Sequence, residues 1–205
     1  MTVKSAHRRR SQEERSQDTQ QRILRGALAC ITRNGLQRTS THDIARKAKV
    51  SRGALLHHYP TRASLLEAAF SLLLHEEAKL IEEFSEGLSR DGSSVALLIK
   101  FIRERYSGAL FAVTLDYLAL ARVDDETMSA VIPGASRYTE TLNRLWDRCL
   151  SEVSMSAAKK RNLMNQTMLL VRGMSFQAIW RQEPEYFDEE LNAWIRELEA
   201  HFRSR

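Results

Sequence analysis

Between Ser40 and Pro60 the chain has room for two short helices and one tight turn, and for little else. Ser40 followed three residues later by Asp43 reads as a capping box, whose side chains satisfy backbone N–H groups that a helix start leaves without partners. Ile44, Ala45 and Ala48 then form an inner face, with Arg46 and Lys47 on the outside. A turn at Lys49 to Ser51 leads into a further helix over about Arg52 to Tyr59, which Pro60 stops because it has no N–H and its ring crowds the preceding turn. On that helix Leu55 and Tyr59 lie one turn apart and pack inward with Val50 and Ile44, so Arg52, Gly53, Leu56 and His57 face outward. Two short helices in this arrangement, the second with a small and basic face, form a helix-turn-helix suited to the major groove of DNA.

Helical periodicity continues through the chain, with three prolines and no convincing run of alternating β-branched residues, so the fold class expected is all-α with about nine helices. Residues 1–17 read as a basic disordered arm. A first helix over about Asp18 to Asn34 carries Ile23, Ala27, Cys30 and Ile31 on one face and ends at Gly35. Residues 18–64 form the three-helix DNA-binding domain and 65–205 a helical effector-binding and dimerisation domain. A helix from about Arg62 to beyond Glu83 buries Leu65, Leu66, Ala69, Leu72 and Leu73. The loop signal "SRDGSS" at 89–94 follows it, and later helices are expected over 94–106, 108–122, 135–153, 156–182 and 185–203, with Pro133, Gly134 and Pro184 as punctuation.

Charge is distributed unevenly along the sequence. Residues 1–62 hold 14 Lys and Arg against 4 Asp and Glu, a balance of +10, whereas residues 63–205 hold 17 against 22, a balance of −5. One end thus faces a polyanion while the other is an ordinary solvated body. No stretch approaches eighteen consecutive apolar residues, and the first twenty lack the apolar run of a secretory signal, which points to a cytoplasmic protein with no membrane partner. Cys30 and Cys149 match no zinc or redox spacing and read as small buried fillers.

The adjacent His57 and His58 invite a metal reading, but neighbours on a helix point about 100° apart and cannot chelate one ion together. An imidazole N–H donated to a phosphate or a base edge fits them better, with packing of His58 against the first helix as the other possibility. No glycine-rich phosphate loop, nucleophile elbow or metal-ligand spacing is present, and "LLHEEA" at 73–78 reads as a solvated helix face, so neither an enzyme, a cofactor nor a metal site is expected.

Arg22, Ile23, Leu24, Ala27, Gly35, Thr39, Ser40, Ile44, Ala45 and Ala48, followed by "VSRGALLHHYPTRASLLEAAF", resemble the TetR family of transcriptional regulators over roughly residues 20–70. The resemblance implies that Thr39, Ser40 or Thr41 touch phosphate, that Arg52, Gly53, Ala54 and His57 meet base edges, and that His58 and Arg62 grip phosphates. The residue chemistry agrees, since Arg52 can pair with guanine O6 and N7 while Gly53 and Ala54 allow close approach. Two positions depart from the family pattern. Leu56 stands where tyrosine is usual, putting an apolar contact in place of a phosphate hydrogen bond. Lys49 stands where glycine is common, at a turn position that tends to demand positive φ, and would offset the conformational cost through a phosphate contact.

By the same resemblance the last two helices build a homodimer interface, here with Met164, Val171, Gly173, Met174, Ala178, Trp194, Leu198 and Phe202. A double-stranded DNA operator read by two such heads would be a palindrome. A small, largely apolar effector is expected among Phe101, Tyr106, Phe111, Tyr117, Trp146 and Met168, oriented by Asp116 or Arg172. The function expected is a ligand-relieved repressor; the alternative is an architectural or corepressor-type DNA-binding module with no effector.

Overall fold

A computed structural model describes residues 11–203, and those residues fold into nine helices with no strand among them. They divide into two compact units between Ala69 and Phe70. The first contains α1 (Gln12–Asn34), α2 (Thr41–Ala48), α3 (Arg52–His58) and the opening turns of α4 (Arg62–Ser85). The second contains the rest of α4 with α5 (Val95–Arg105), α6 (Ala109–Ala121), α7 (Asp125–Cys149), α8 (Ala157–Gln177) and α9 (Pro184–Arg203).

Helix α1 begins before the expected Asp18. Ser11 accepts the Glu14 backbone N–H at 3.1 Å while the Glu14 carboxylate accepts the Ser11 N–H at 2.7 Å, a reciprocal cap that extends the helix into what reads as a disordered arm. The rest of that expected arm, residues 1–10, lies outside the described residues. Ile23, Ala27, Cys30 and Ile31 are buried as their spacing predicts. Gly35 at φ 80° returns its N–H to the Ile31 carbonyl and ends the helix.

Helices α1 and α2 pack closely. The reason is Gly26, where an added Cβ would stand 3.1 Å from the Ala48 Cβ and 3.2 Å from the Ala48 backbone nitrogen. Two small residues at the crossing bring the backbones together and let Ile23, Ile44 and Leu55, each essentially inaccessible, fill one small core.

In the second unit the core is aromatic and aliphatic. Phe70 stacks on Tyr117 with ring centroids 4.4 Å apart, and Phe84 on Phe101 at 4.1 Å. Trp146 is buried and donates its indole N–H to the Lys160 carbonyl at 2.9 Å. Two expectations fail here. Pro133 does not break the chain but lies inside α7, because Asp124 caps a helix start at Asp125 by accepting the Thr127 N–H at 2.9 Å. The backbone carbonyl that Pro133 leaves unbonded belongs to Ser129, an exposed residue, so water can take it. The second concerns "LLHEEA", which is not a solvated face. Leu73 and Leu74 are buried, and Glu77, 4% exposed, receives a bidentate pair from Arg105 at 2.8 and 2.7 Å that ties α4 to the end of α5.

Gly26→Val tests the close crossing. Overpacking there costs roughly 1–3 kcal/mol, seen as a lowered melting temperature, whereas valine at Gly87, which has no neighbour within 4 Å of an added Cβ, leaves the packing of both units unchanged.

Candidate nucleic-acid interface

The turn between α2 and α3 determines where the face of α3 points. Lys49 adopts the left-handed conformation at φ 55° and ψ 46°, as its position predicts. Its N–H bonds the Arg46 carbonyl at 3.2 Å and the Val50 N–H reaches the Ala45 carbonyl at 3.0 Å, closing the helix end. Arg22 of α1 donates from Nη2 to the carbonyls of both Ala48 and Lys49, each at 2.7 Å. Ser51 then starts α3 by accepting the Ala54 N–H at 3.1 Å, and Leu55, fully buried, anchors the helix from beneath.

What remains outside is the surface expected. Arg52, Gly53, Leu56 and His57 are exposed, with Ala54 and His58 half-buried at the margin. The two imidazole rings meet edge to face at 5.3 Å, an arrangement that presents two separate donors. Around Gly53 the nearest atom to an added Cβ is the Ser51 hydroxyl at 3.9 Å, so nothing in the protein requires glycine there. Its value is the low relief it gives the outer face, where another backbone can come close.

At the start of α2 the structure sorts the three hydroxyls. Ser40 accepts the Asp43 N–H at 3.1 Å and donates its own hydroxyl to the Asp43 carboxylate at 2.6 Å, so the box is closed side chain to side chain and not through the Ser40 N–H. That hydrogen bond, with Arg46 beside it, holds the Asp43 carboxyl below the usual range. Thr39 is 2% exposed and donates its hydroxyl to the Gly35 carbonyl at 2.8 Å, which takes it out of the expected phosphate set. Thr41 stays half-buried at the helix start. Arg62 donates from Nη2 to the Leu36 carbonyl at 2.7 Å and the Thr39 carbonyl at 3.5 Å, leaving its other donors for an anion.

Residues 23–69 match the family model for bacterial regulatory proteins of the tetR family. The HTH-type transcriptional regulator CymR of Pseudomonas putida is 24% identical over 199 residues, covering 96% of this chain and 98% of that protein. The helix-turn-helix segment of this chain is thus of the TetR type. Among solved structures, a Mesorhizobium loti protein assigned to that family shares the fold at a TM-score of 0.75 and 16% identity, over 91% of this chain and 97% of its own. The transcriptional regulator FadR of Bacillus subtilis, solved in complex with stearoyl-CoA, shares it at 0.68 and 15% identity, over 90% and 98%.

The chain is a helix-turn-helix transcriptional regulator with a TetR-type DNA-binding segment, and its second unit departs from what the resemblance implies. The expected ligand residues do not converge. Tyr117 and Trp146 are engaged in the core, Phe101 is half-buried and stacked on Phe84, and Asp116 is half-buried. Tyr106 and Phe111 line an open cleft of about 400 Å³, while Met168 and Arg172 line another of about 290 Å³. Arg172 and Tyr106 touch through a 3.4 Å hydrogen bond from guanidinium to phenol oxygen.

Half of the expected dimer residues are likewise interior. Met164, Val171, Met174 and Leu198 are buried within the unit, because the faces of α8 and α9 that carry them pack on other helices of the same chain. Trp194 donates to Thr167 at 2.9 Å, Phe202 packs beside Gly92, and Ala178 is half-buried. The exposed apolar surface here is a different one: Leu169 at 70% exposure, Gly173 and Phe176 on one face of α8, continued just past its end at Gln177 by Ile179 and by Trp180 at 61%. Of the expected residues Gly173 alone lies on it.

Sequence reasoning gave no structural role to Arg22 or Ser51. Ser51 carries a readable signal, a serine directly before a helical run. Arg22 carries none, because its partners are carbonyls 26 and 27 residues away.

Lys49→Gly removes the cost of a left-handed lysine, stabilising the first unit by about 1 kcal/mol in thermal unfolding, while DNA affinity falls and the salt dependence flattens by roughly one phosphate contact. Arg52→Ala lowers affinity for a specific site by roughly 1–3 kcal/mol, far more than for scrambled duplex, in a titration of both.

Proposed function

We propose that this chain binds a palindromic operator as a homodimer and represses transcription until a small effector releases it. The observation that supports it most directly is the exposed face of α3, where an arginine, a glycine and an imidazole stand over a capped turn in a basic segment. One such face spans too few base pairs for specificity, and a two-fold pair reads half-sites about one helical turn apart. The exposed apolar patch of Leu169 and Phe176 on α8 and Trp180 just past its end supports self-association, since an exposed patch of this kind is rarely left solvated. A neighbour of the same fold holds stearoyl-CoA, which supports a ligand-responsive body.

On this reading the DNA contacts are Ser40 and Thr41 at phosphates, Arg52, Gly53, Ala54, Leu56 and His57 in the groove, and Lys49, His58 and Arg62 on the backbone. The protein works on DNA in the cytoplasm and does no covalent chemistry. No described helix is long and apolar enough to cross a membrane. Effector and operator oppose each other through a coupling free energy, each weakening the other's binding by the same factor.

Selection from a random duplex library at two salt concentrations tests the DNA half. The expected product is a palindrome whose affinity falls steeply with salt; recovery without a consensus would replace specific regulation with the architectural alternative. For the dimer, Trp180→Glu combined with Leu169→Glu is expected to shift the protein to monomer in sedimentation and to abolish binding to the full palindrome.

A further inference from the structure

In the second unit the end of α5, the start of α6, the last turns of α8 and the start of α9 enclose the open cleft of about 400 Å³ that Tyr106 and Phe111 line. Arg103 also lines it, and its surroundings are unusual for a cation. The guanidinium is half-buried, stands 5.6 Å from the centroid of Phe187, and donates to the hydroxyls of Ser107 and Ser175, the latter at 3.5 Å. Both acceptors are neutral. Among the described residues no carboxylate lies within ion-pair distance of Arg103; Asp188 acts on it from further off, and desolvation draws its pKa below the ordinary arginine value. A cation held partly out of water without a counter-ion is costly, and proteins answer it by pairing or by leaving it for a ligand.

A second donor lies in the same cleft wall. Arg181 stacks 3.5 Å over the Tyr186 ring and pairs with Glu183 at 2.9 Å, which answers its charge, but its Nε–H is buried without an acceptor. Arg103 thus supplies the unanswered positive charge, and Phe111 and Phe187 apolar walls. Glu183 in the wall and Asp188 nearby set a limit on the occupant: they oppose a dianion or a polyphosphate more than a single negative charge.

We propose that this cleft binds a small organic monocarboxylate with an aromatic or alicyclic body, its carboxylate on the Arg103 guanidinium beside Ser107 and Ser175 and its ring against Phe111 and Phe187. The volume suits a compact ligand, and arginine with flanking hydroxyls matches the geometry of a carboxylate better than that of a neutral amide. The assignment of this anion as the effector rests on the ligand-relieved reading above; the binding site itself does not.

The test is calorimetric titration of the full chain with benzoate, cyclohexanecarboxylate, benzamide as the neutral isostere of benzoate, and inorganic phosphate. At least one carboxylate binds, benzamide binds at least tenfold more weakly than benzoate, and phosphate does not compete. Arg103→Gln, checked for native circular dichroism, weakens carboxylate binding tenfold or more, and Arg103→Lys recovers part of it. Equal binding of benzoate and benzamide, or no carboxylate binding at millimolar concentration, overturns the site without recourse to any variant; so does unchanged affinity in a folded Arg103→Gln protein. Operator release is measured separately. Carboxylate binding that leaves the operator complex intact upholds the site and overturns its role as the effector site, whereas release by some other compound with no carboxylate binding overturns the site and leaves ligand-relieved repression standing.

Discussion

One guanidinium group sets the geometry on which DNA recognition depends. Arg22, on α1, holds the carbonyls of Ala48 and Lys49 at 2.7 Å each. Those carbonyls end α2 at the point where the backbone turns left-handed, and without a donor they would rely on water to satisfy them. With Arg22 in place, the turn at Lys49 is tied to α1, and the direction in which α3 leaves it is fixed by the Ser51 cap and the burial of Leu55. Charge-assisted hydrogen bonds to backbone are among the stronger polar contacts a small domain can make. A seven-residue helix such as α3 has little stability of its own, so its orientation is inherited almost wholly from these three contacts.

Much of this was legible because its determinants are local. Ser40, Gly35 and Pro60 punctuate the chain by rules that act within four residues, and Ile44, Ala48 and Leu55 follow the helical period into the core. The left-handed Lys49 was readable only through the resemblance, which puts glycine at that turn position. What stayed hidden depends on distance in sequence. The hydroxyl of Thr39 turns inward to the Gly35 carbonyl at a corner where Arg62 also bonds the Leu36 carbonyl, and no periodicity announces it.

The second unit was harder to read for a related reason. Its helices are apolar on more than one side, so a stripe of methionine, valine and leucine on α8 does not say whether it meets its own chain or another. The structure decides in favour of the chain's own core for Met164, Val171 and Met174, and leaves Leu169, Phe176 and Trp180 outside. Aromatic residues posed the same difficulty. Tyr117 fills the interior by stacking on Phe70 and Phe101 stacks half-buried on Phe84, whereas the buried Tyr106 and the half-buried Phe111 line a cleft. Glu77 and Arg105, 28 residues apart, show that even a charge run can be interior when the right cation folds over it.

The two cysteines are distributed one to each unit, and both are buried free thiols whose pKa burial pushes up. Thiolate is the reactive form, so oxidants and alkylating reagents find little to attack while the native packing holds. Each cysteine is therefore an internal clock for its own unit: it reacts only when that part of the chain opens, and the two labelling rates separate the breathing of the DNA-reading head from that of the body without any probe being introduced.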